Sequence, residues 1–77
     1  MNKRYIKKEP AIQVGENIRA ARKAKGLTQK EVAEKLNITY QQYARYEVGI
    51  YELGYQQIKL VCDILDMSPN EMFDYDL

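Results

Sequence analysis

The side chains best suited to chemistry gather between Thr28 and Gly49, in the run TQKEVAEKLNITYQQYARYEVG. In its second half, helical spacing turns Tyr43 and Tyr46 inward at i and i+3. That leaves Tyr40, Gln41, Ala44 and Arg45 facing outward. A phenol, an amide and a guanidinium along one edge can recognise a polar surface by hydrogen bonding, but they do not make a reaction centre. Catalytic groups are scarce elsewhere. The chain has no histidine, and so lacks the usual general base and the commonest metal ligand. Its single cysteine, Cys62, cannot form an internal disulfide and lies in the apolar helical run IKLVCDIL, as a small core residue would. No cluster of carboxylates marks a pocket. These features predict a binding protein rather than an enzyme, with no cofactor and no metal.

Seventy-seven residues suffice for one domain, in which folding buries roughly 60% of the unfolded surface. Net charge is only +1, yet the distribution is uneven. Through Lys30 there are nine Lys and Arg against two acids, a balance of +7; from Glu31 onward there are three against nine, a balance of −6. Such a division suits a basic face or arm for a polyanion, with an acidic end held away from it. No apolar run approaches the ~20 residues that a membrane span requires. The beginning, MNKRYIKKEP, is basic without the apolar segment of a signal peptide, which predicts a cytoplasmic protein.

The outward edge needs elements to position it, and the punctuation of the sequence supplies them. Residues 1–9 read as a flexible basic arm carrying Lys3, Arg4, Lys7 and Lys8, and residues 10–77 as the folded domain. Pro10 suits the first turn of a helix that buries Val14, Ile18, Ala21 and Lys25, exposes Arg19 and Lys23, and stops at Gly26. Gly15 weakens the start of that helix. Thr28 with Glu31 forms a capping box for a second helix that buries Val32, Ala33 and Leu36. Asn37 tolerates the left-handed turn, Ile38 plugs the core beneath it, and Thr39 caps a third helix ending at Gly49. A fourth helix over 55–65 buries Ile58, Val61, Cys62 and Leu65. Ser68-Pro69-Asn70-Glu71 then opens a short fifth helix ending near Phe73, followed by an acidic tail that frays. The reading is all-α, with five short helices.

In this order the residues resemble the Cro/repressor-type, or XRE, helix-turn-helix family. The ordered features are GLTQ entering the second helix, Ala33 within A-E-K-L, Tyr46-Glu47-Val48-Gly49 closing the third, and Leu65-Asp66-Met67-Ser68 before the last. The likeness runs from about Val14 to Phe73 and implies a five-helix, lambda-repressor-like domain. It implies a sequence-specific transcriptional regulator of double-stranded DNA, acting as a homodimer, with a recognition helix over about 39–48 in the major groove. Tyr40, Gln41 and Arg45 occupy base-facing positions in that comparison. An amide can pair with adenine and a guanidinium with guanine O6 and N7, while the Tyr40 ring suits a thymine methyl. Thr28, Gln29, Gln42 and Tyr51 are the expected phosphate contacts, and Arg22 with Glu47 a partly buried structural ion pair.

One region departs from the family pattern. Members often carry basic residues after the glycine, whereas here the loop is Ile50-Tyr51-Glu52-Leu53-Gly54, with one acid and no cation. A second reading therefore stands beside the first: a protein-interaction module, such as an antitoxin or complex subunit, that keeps the fold and presents a tyrosine-rich surface. Met72, Phe73, Tyr75 and Leu77 are candidates either for a dimer surface or for plain core packing.

Overall fold

Apolar residues recurring at helical spacing give each segment one face to bury, and short capped turns bring those faces together. The computed structural model describes residues 9–74. In order these form α1 (Glu9–Ala24), α2 (Gln29–Leu36), α3 (Tyr40–Val48), α4 (Tyr55–Leu65) and α5 (Pro69–Phe73). No strand occurs among the described residues, so the five-helix reading holds. Apart from Glu9, which opens α1, the predicted arm lies outside the described residues, as do Tyr75, Asp76 and Leu77.

The boundaries follow from capping chemistry. Thr28 Oγ1 accepts from the Glu31 N–H at 3.0 Å, and the Glu31 carboxylate accepts from the Thr28 N–H at 2.8 Å. Ser68 and Glu71 repeat the box at 3.1 and 2.7 Å, with Pro69 at the first turn of α5. Thr39 Oγ1 accepts from the Gln42 N–H at 3.1 Å. Each such cap contributes about 1 kcal/mol. Asn37 ends α2 in the left-handed region at φ 61°, which turns the chain sharply into α3.

The core is shared among all five helices: Val14 and Ile18 from α1, Val32, Ala33 and Leu36 from α2, Tyr43 and Tyr46 from α3. Val61, Cys62 and Leu65 from α4 and Met72 from α5 complete it. Helix α1 packs against α3 on one side and α5 on another, and α2 touches both α3 and α4. Met72 is fully buried, so it is a core residue and not part of a dimer surface. Phe73 keeps 40% of its surface exposed. Asp74 is fixed rather than frayed: it caps α5 with φ 60° and accepts from the Gln13 amide at 2.8 Å.

Helix α1 differs from its sequence reading in two places. Its buried stripe continues from Val14 and Ile18 to Arg22, four residues on, while Lys25 lies beyond the helix and is exposed. A charged residue on an apolar stripe needs a partner, and Arg22 has one. Gly15, which the sequence marks as a weak point, is a packing requirement. A Cβ there would meet the carbonyl oxygen of Glu47 and lie 2.7 Å from that of Tyr46. The end of α3 therefore rests directly on the α1 backbone. Gly49 is constrained likewise, with φ 83° and the Ile12 Cα 2.7 Å from where a Cβ would stand.

Exchanging an ordinary mid-helix glycine for alanine stabilises by roughly 0.5–1 kcal/mol. Here the sign reverses. Gly15→Ala should lower stability by more than about 2 kcal/mol, because backbone atoms must move apart. Urea unfolding followed by circular dichroism measures this, and a stabilised Gly15→Ala variant would show that the contact of α1 with α3 is loose.

Candidate nucleic-acid interface

Three helices are joined at one carboxylate, that of Glu47. Its Oε2 accepts from Arg22 Nε at 2.7 Å and from the Tyr43 hydroxyl at 2.5 Å. Its Oε1 accepts from Arg22 Nη2 at 3.2 Å and from the Gln29 amide at 2.9 Å. Arg22 Nη1 donates in addition to the Leu27 carbonyl at 2.9 Å, in the α1–α2 connection. The Arg22 and Glu47 side chains are 10% and 2% exposed, so the pair is more deeply buried than the sequence reading expects. Four donors satisfy the carboxylate, which is what its burial demands.

The ionisation behaviour follows. Burial pushes the Glu47 carboxyl upward, but the Arg22 guanidinium, the Tyr43 hydroxyl and the Gln29 amide outweigh it and hold the group below the ordinary carboxylate value of 4.5. The hydrogen bond to Glu47 is the main cause raising Arg22 further, against the opposing effect of burial. Burial, followed by the bond to Glu47, raises the Tyr43 phenol far above 10. The arrangement is thus a fixed carboxylate and guanidinium braced by a neutral phenol.

Over this network opens a groove of about 890 Å³ between α1, the start of α2 and α3. Arg22 and Glu47 line it, together with Thr28, Gln29, Tyr40, the cations Arg19 and Lys30 and the acid Glu16. Three of the sequence-predicted contacts, Thr28, Gln29 and Tyr40, therefore face one space. Thr28 caps α2, and the Gln29 amide nitrogen is already engaged with Glu47. Gln41 and Arg45, one turn apart on α3, are exposed. Gln42 is half-buried, with its amide nitrogen 3.5 Å from the Tyr46 hydroxyl. Tyr51 stands apart from the groove and lies against Arg45, whose guanidinium carbon is 5.8 Å from the ring centre.

Sequence spacing missed two members of the network. Tyr43 reads as a core aromatic, yet its hydroxyl meets Glu47 one turn ahead, a relation that i,i+4 spacing could have revealed. The bond from Gln29 to Glu47 joins residues on separate helices, and no local pattern announces it. Among the described residues, no group of three His, Cys, Asp or Glu is placed to hold a metal ion, and no helix is long and apolar enough to cross a membrane.

The network makes two quantitative predictions. Glu47→Ala strands a buried guanidinium and should cost about 3–5 kcal/mol. Tyr43→Phe removes one donor while another keeps the same oxygen paired, and should cost about 1–2 kcal/mol. A lowered folded-state value means that Glu47 contributes its stability above pH 4.5, and that the contribution fades as pH falls through the lower folded value. Urea midpoints measured from pH 7 to pH 2 should therefore fall more steeply below 4.5 in the parent chain than in Glu47→Gln. Parallel curves would remove Glu47 from the acid response.

Comparison with known proteins agrees with this geometry. The helix-turn-helix family model matches residues 18–72. A Bacillus subtilis protein named as the HTH-type transcriptional regulator YqaE is 43% identical over 53 residues, covering 69% of this chain and 46% of that protein. A Rickettsia prowazekii protein named as the HTH-type transcriptional regulator RP497 is 31% identical over 61 residues, 79% of this chain and 47% of its own length. Another, from Sinorhizobium medicae, is 34% identical over 63 residues, 82% and 45%. The chain thus spans about half the length of the curated relatives it matches. No solved structure gives a significant match. Five helices in the expected order, an ion pair joining the first to the third, and a match over residues 18–72 lead to one assignment: the chain belongs to the helix-turn-helix family, of the Cro/repressor (XRE) type.

Proposed function

We propose that this domain reads double-stranded DNA as part of a sequence-specific transcriptional regulator. One observation carries the proposal: the exposed edge of α3 is anchored from beneath by a buried carboxylate and adjoins a groove rimmed by Arg19 and Lys30. Helix α3 enters the major groove. Gln41 and Arg45 present an amide and a guanidinium to base edges, and Tyr40 offers its ring to a thymine methyl. Thr28, Gln29 and Gln42 meet the phosphates, helped by the free N–H groups at the mouth of α2 and by the positive end of its dipole.

The domain acts in the cytoplasm as a homodimer, on half-sites about one helical turn, ~34 Å, apart. Phosphate contacts dominate affinity in such complexes. With no cation between Ile50 and Gly54, that task falls to Arg19, Lys30 and the basic residues before Glu9. A second reading draws on the same loop and the first residue of α4. Ile50 is 65% exposed and Tyr55 92% exposed, a surface that fits a protein partner better than a phosphate.

Selection from a random duplex pool at low salt separates the two readings. The parent chain should enrich a palindromic sequence. Arg45→Ala should cost about 1–3 kcal/mol and relax preference at one base position per half-site. Lys30→Ala should instead weaken all sequences alike and reduce the salt slope by about one. Enrichment of no sequence would reject the regulator reading in favour of the interaction module.

A further inference from the structure

The base-facing Arg45 has a neighbour whose placement the expected phosphate role does not explain. At the end of α3, Gly49 adopts φ 83°, with its N–H bonded to the Tyr46 carbonyl at 3.2 Å. The Ile50 N–H bonds to the Arg45 carbonyl at 3.0 Å. This pairing of the two residues past the helix with its last turn is a Schellman closure, and the Tyr51 N–H also points to the Arg45 carbonyl, at 3.5 Å. Tyr51 therefore arrives beside Arg45. Its ring meets the buried Tyr46 ring edge-to-face, with centroids 6.4 Å apart and planes at 69°. The Arg45 guanidinium carbon is 5.8 Å from the centre of the Tyr51 ring, within the reach of a cation–π contact. Among the described residues, the one salt bridge within 4.0 Å is Arg22–Glu47, so no carboxylate competes for Arg45.

We infer that Tyr51 is a positioning residue that sets base specificity by holding the Arg45 guanidinium against its ring. The inference rests on the DNA-reading proposal and names what orients its key side chain. Arginine is long, and reaching a guanine edge with two parallel bonds requires one arrangement out of many. An aromatic face restricts that choice in the free protein, while the N–H edge of the guanidinium stays available for bases. Tyr46 holds the ring, so the restraint traces back to the core. The loop that lacks cations thereby acts through the one cation of α3.

The test measures base discrimination, total affinity and salt slope for Tyr51→Phe, Tyr51→Trp and Tyr51→Leu, each with Arg45 intact and with Arg45→Ala. Phenylalanine and tryptophan keep an aromatic face and should retain discrimination at the base position that Arg45→Ala relaxes. Leucine should reduce it roughly two- to fivefold, the range for an exposed cation–π contact. In the Arg45→Ala background leucine should have no further effect, and within either background the Tyr51 substitutions should leave nonspecific affinity the same. Without DNA, the Arg45 side-chain protons should show an upfield ring-current shift that Tyr51→Phe keeps and Tyr51→Leu abolishes. Absence of that shift in the parent chain overturns the inference. So does a uniform loss of affinity with a shallower salt slope in Tyr51→Phe, which marks a phosphate contact through the hydroxyl. An equal loss from Tyr51→Leu with and without Arg45 assigns Tyr51 to the scaffold alone. If the parent chain enriches no sequence, the DNA-reading proposal itself falls, and this inference with it. Enrichment that depends on Arg45 but not on Tyr51 removes the inference alone.

Discussion

A carboxylate buried one residue before the end of α3 is an unfavourable object, and the domain is arranged around neutralising it. Glu47 is out of water and lies at the negative end of its helix dipole. Arg22 brings the opposite charge from the last turn of α1, where a cation is favoured, and Tyr43 and Gln29 complete the hydrogen bonding. Replacing such a pair by apolar side chains is often neutral or stabilising, so net stability does not explain its presence. We attribute to it a geometric role. Two bonds from Arg22 on α1 and one from Gln29 on α2 tie the end of α3 to both helices, a directional constraint that generic apolar packing would leave less defined. Gly15 adds a steric limit to the electrostatic one, letting the end of α3 rest on the α1 backbone.

The distribution of charge gains meaning from this frame. Among the described residues, the basic half of the sequence contributes Arg19 and Lys30 to the groove beside α2 and α3. Of the exposed acids of the later half, Asp63, Asp66, Glu71 and Asp74 belong to α4, α5 and their caps, while Glu31 and Glu34 lie on α2 and Glu52 in the loop after α3. A polyanion entering the groove beside α3 would thus meet Arg19 of α1 and Lys30 of α2, with Glu16 as the acid beside them. The cation-free loop beyond Gly49 is then less anomalous: its backbone closes α3, and its tyrosine pairs with Arg45.

Much of the fold was legible because it rests on local rules. Capping boxes at Thr28 and Ser68, the left-handed Asn37, and the Tyr43–Tyr46 spacing each depend on residues within one turn of one another. The Arg22–Glu47 pair, 25 residues apart, was accessible through family resemblance and not through spacing. What stayed hidden depends on how helices meet. Gly15 looked like a defect because the carbonyls it accommodates come from another helix. A strict helical period puts Lys25 on the buried stripe, but the helix ends at Ala24. The Tyr51 hydroxyl is the feature the sequence offers, whereas its ring is the part in contact with Arg45.

The central claim is that the surface formed by the start of α2 and the outer edge of α3 is where nucleic acid binds. Backbone amide shifts recorded while a short DNA duplex is added at low salt address it residue by residue. The amides of Thr28, Gln29 and Lys30 and those from Tyr40 to Arg45 should move first and furthest, while those from Val61 to Asp74 stay in place. Shifts centred on α4 and α5, or none at any residue, would contradict it.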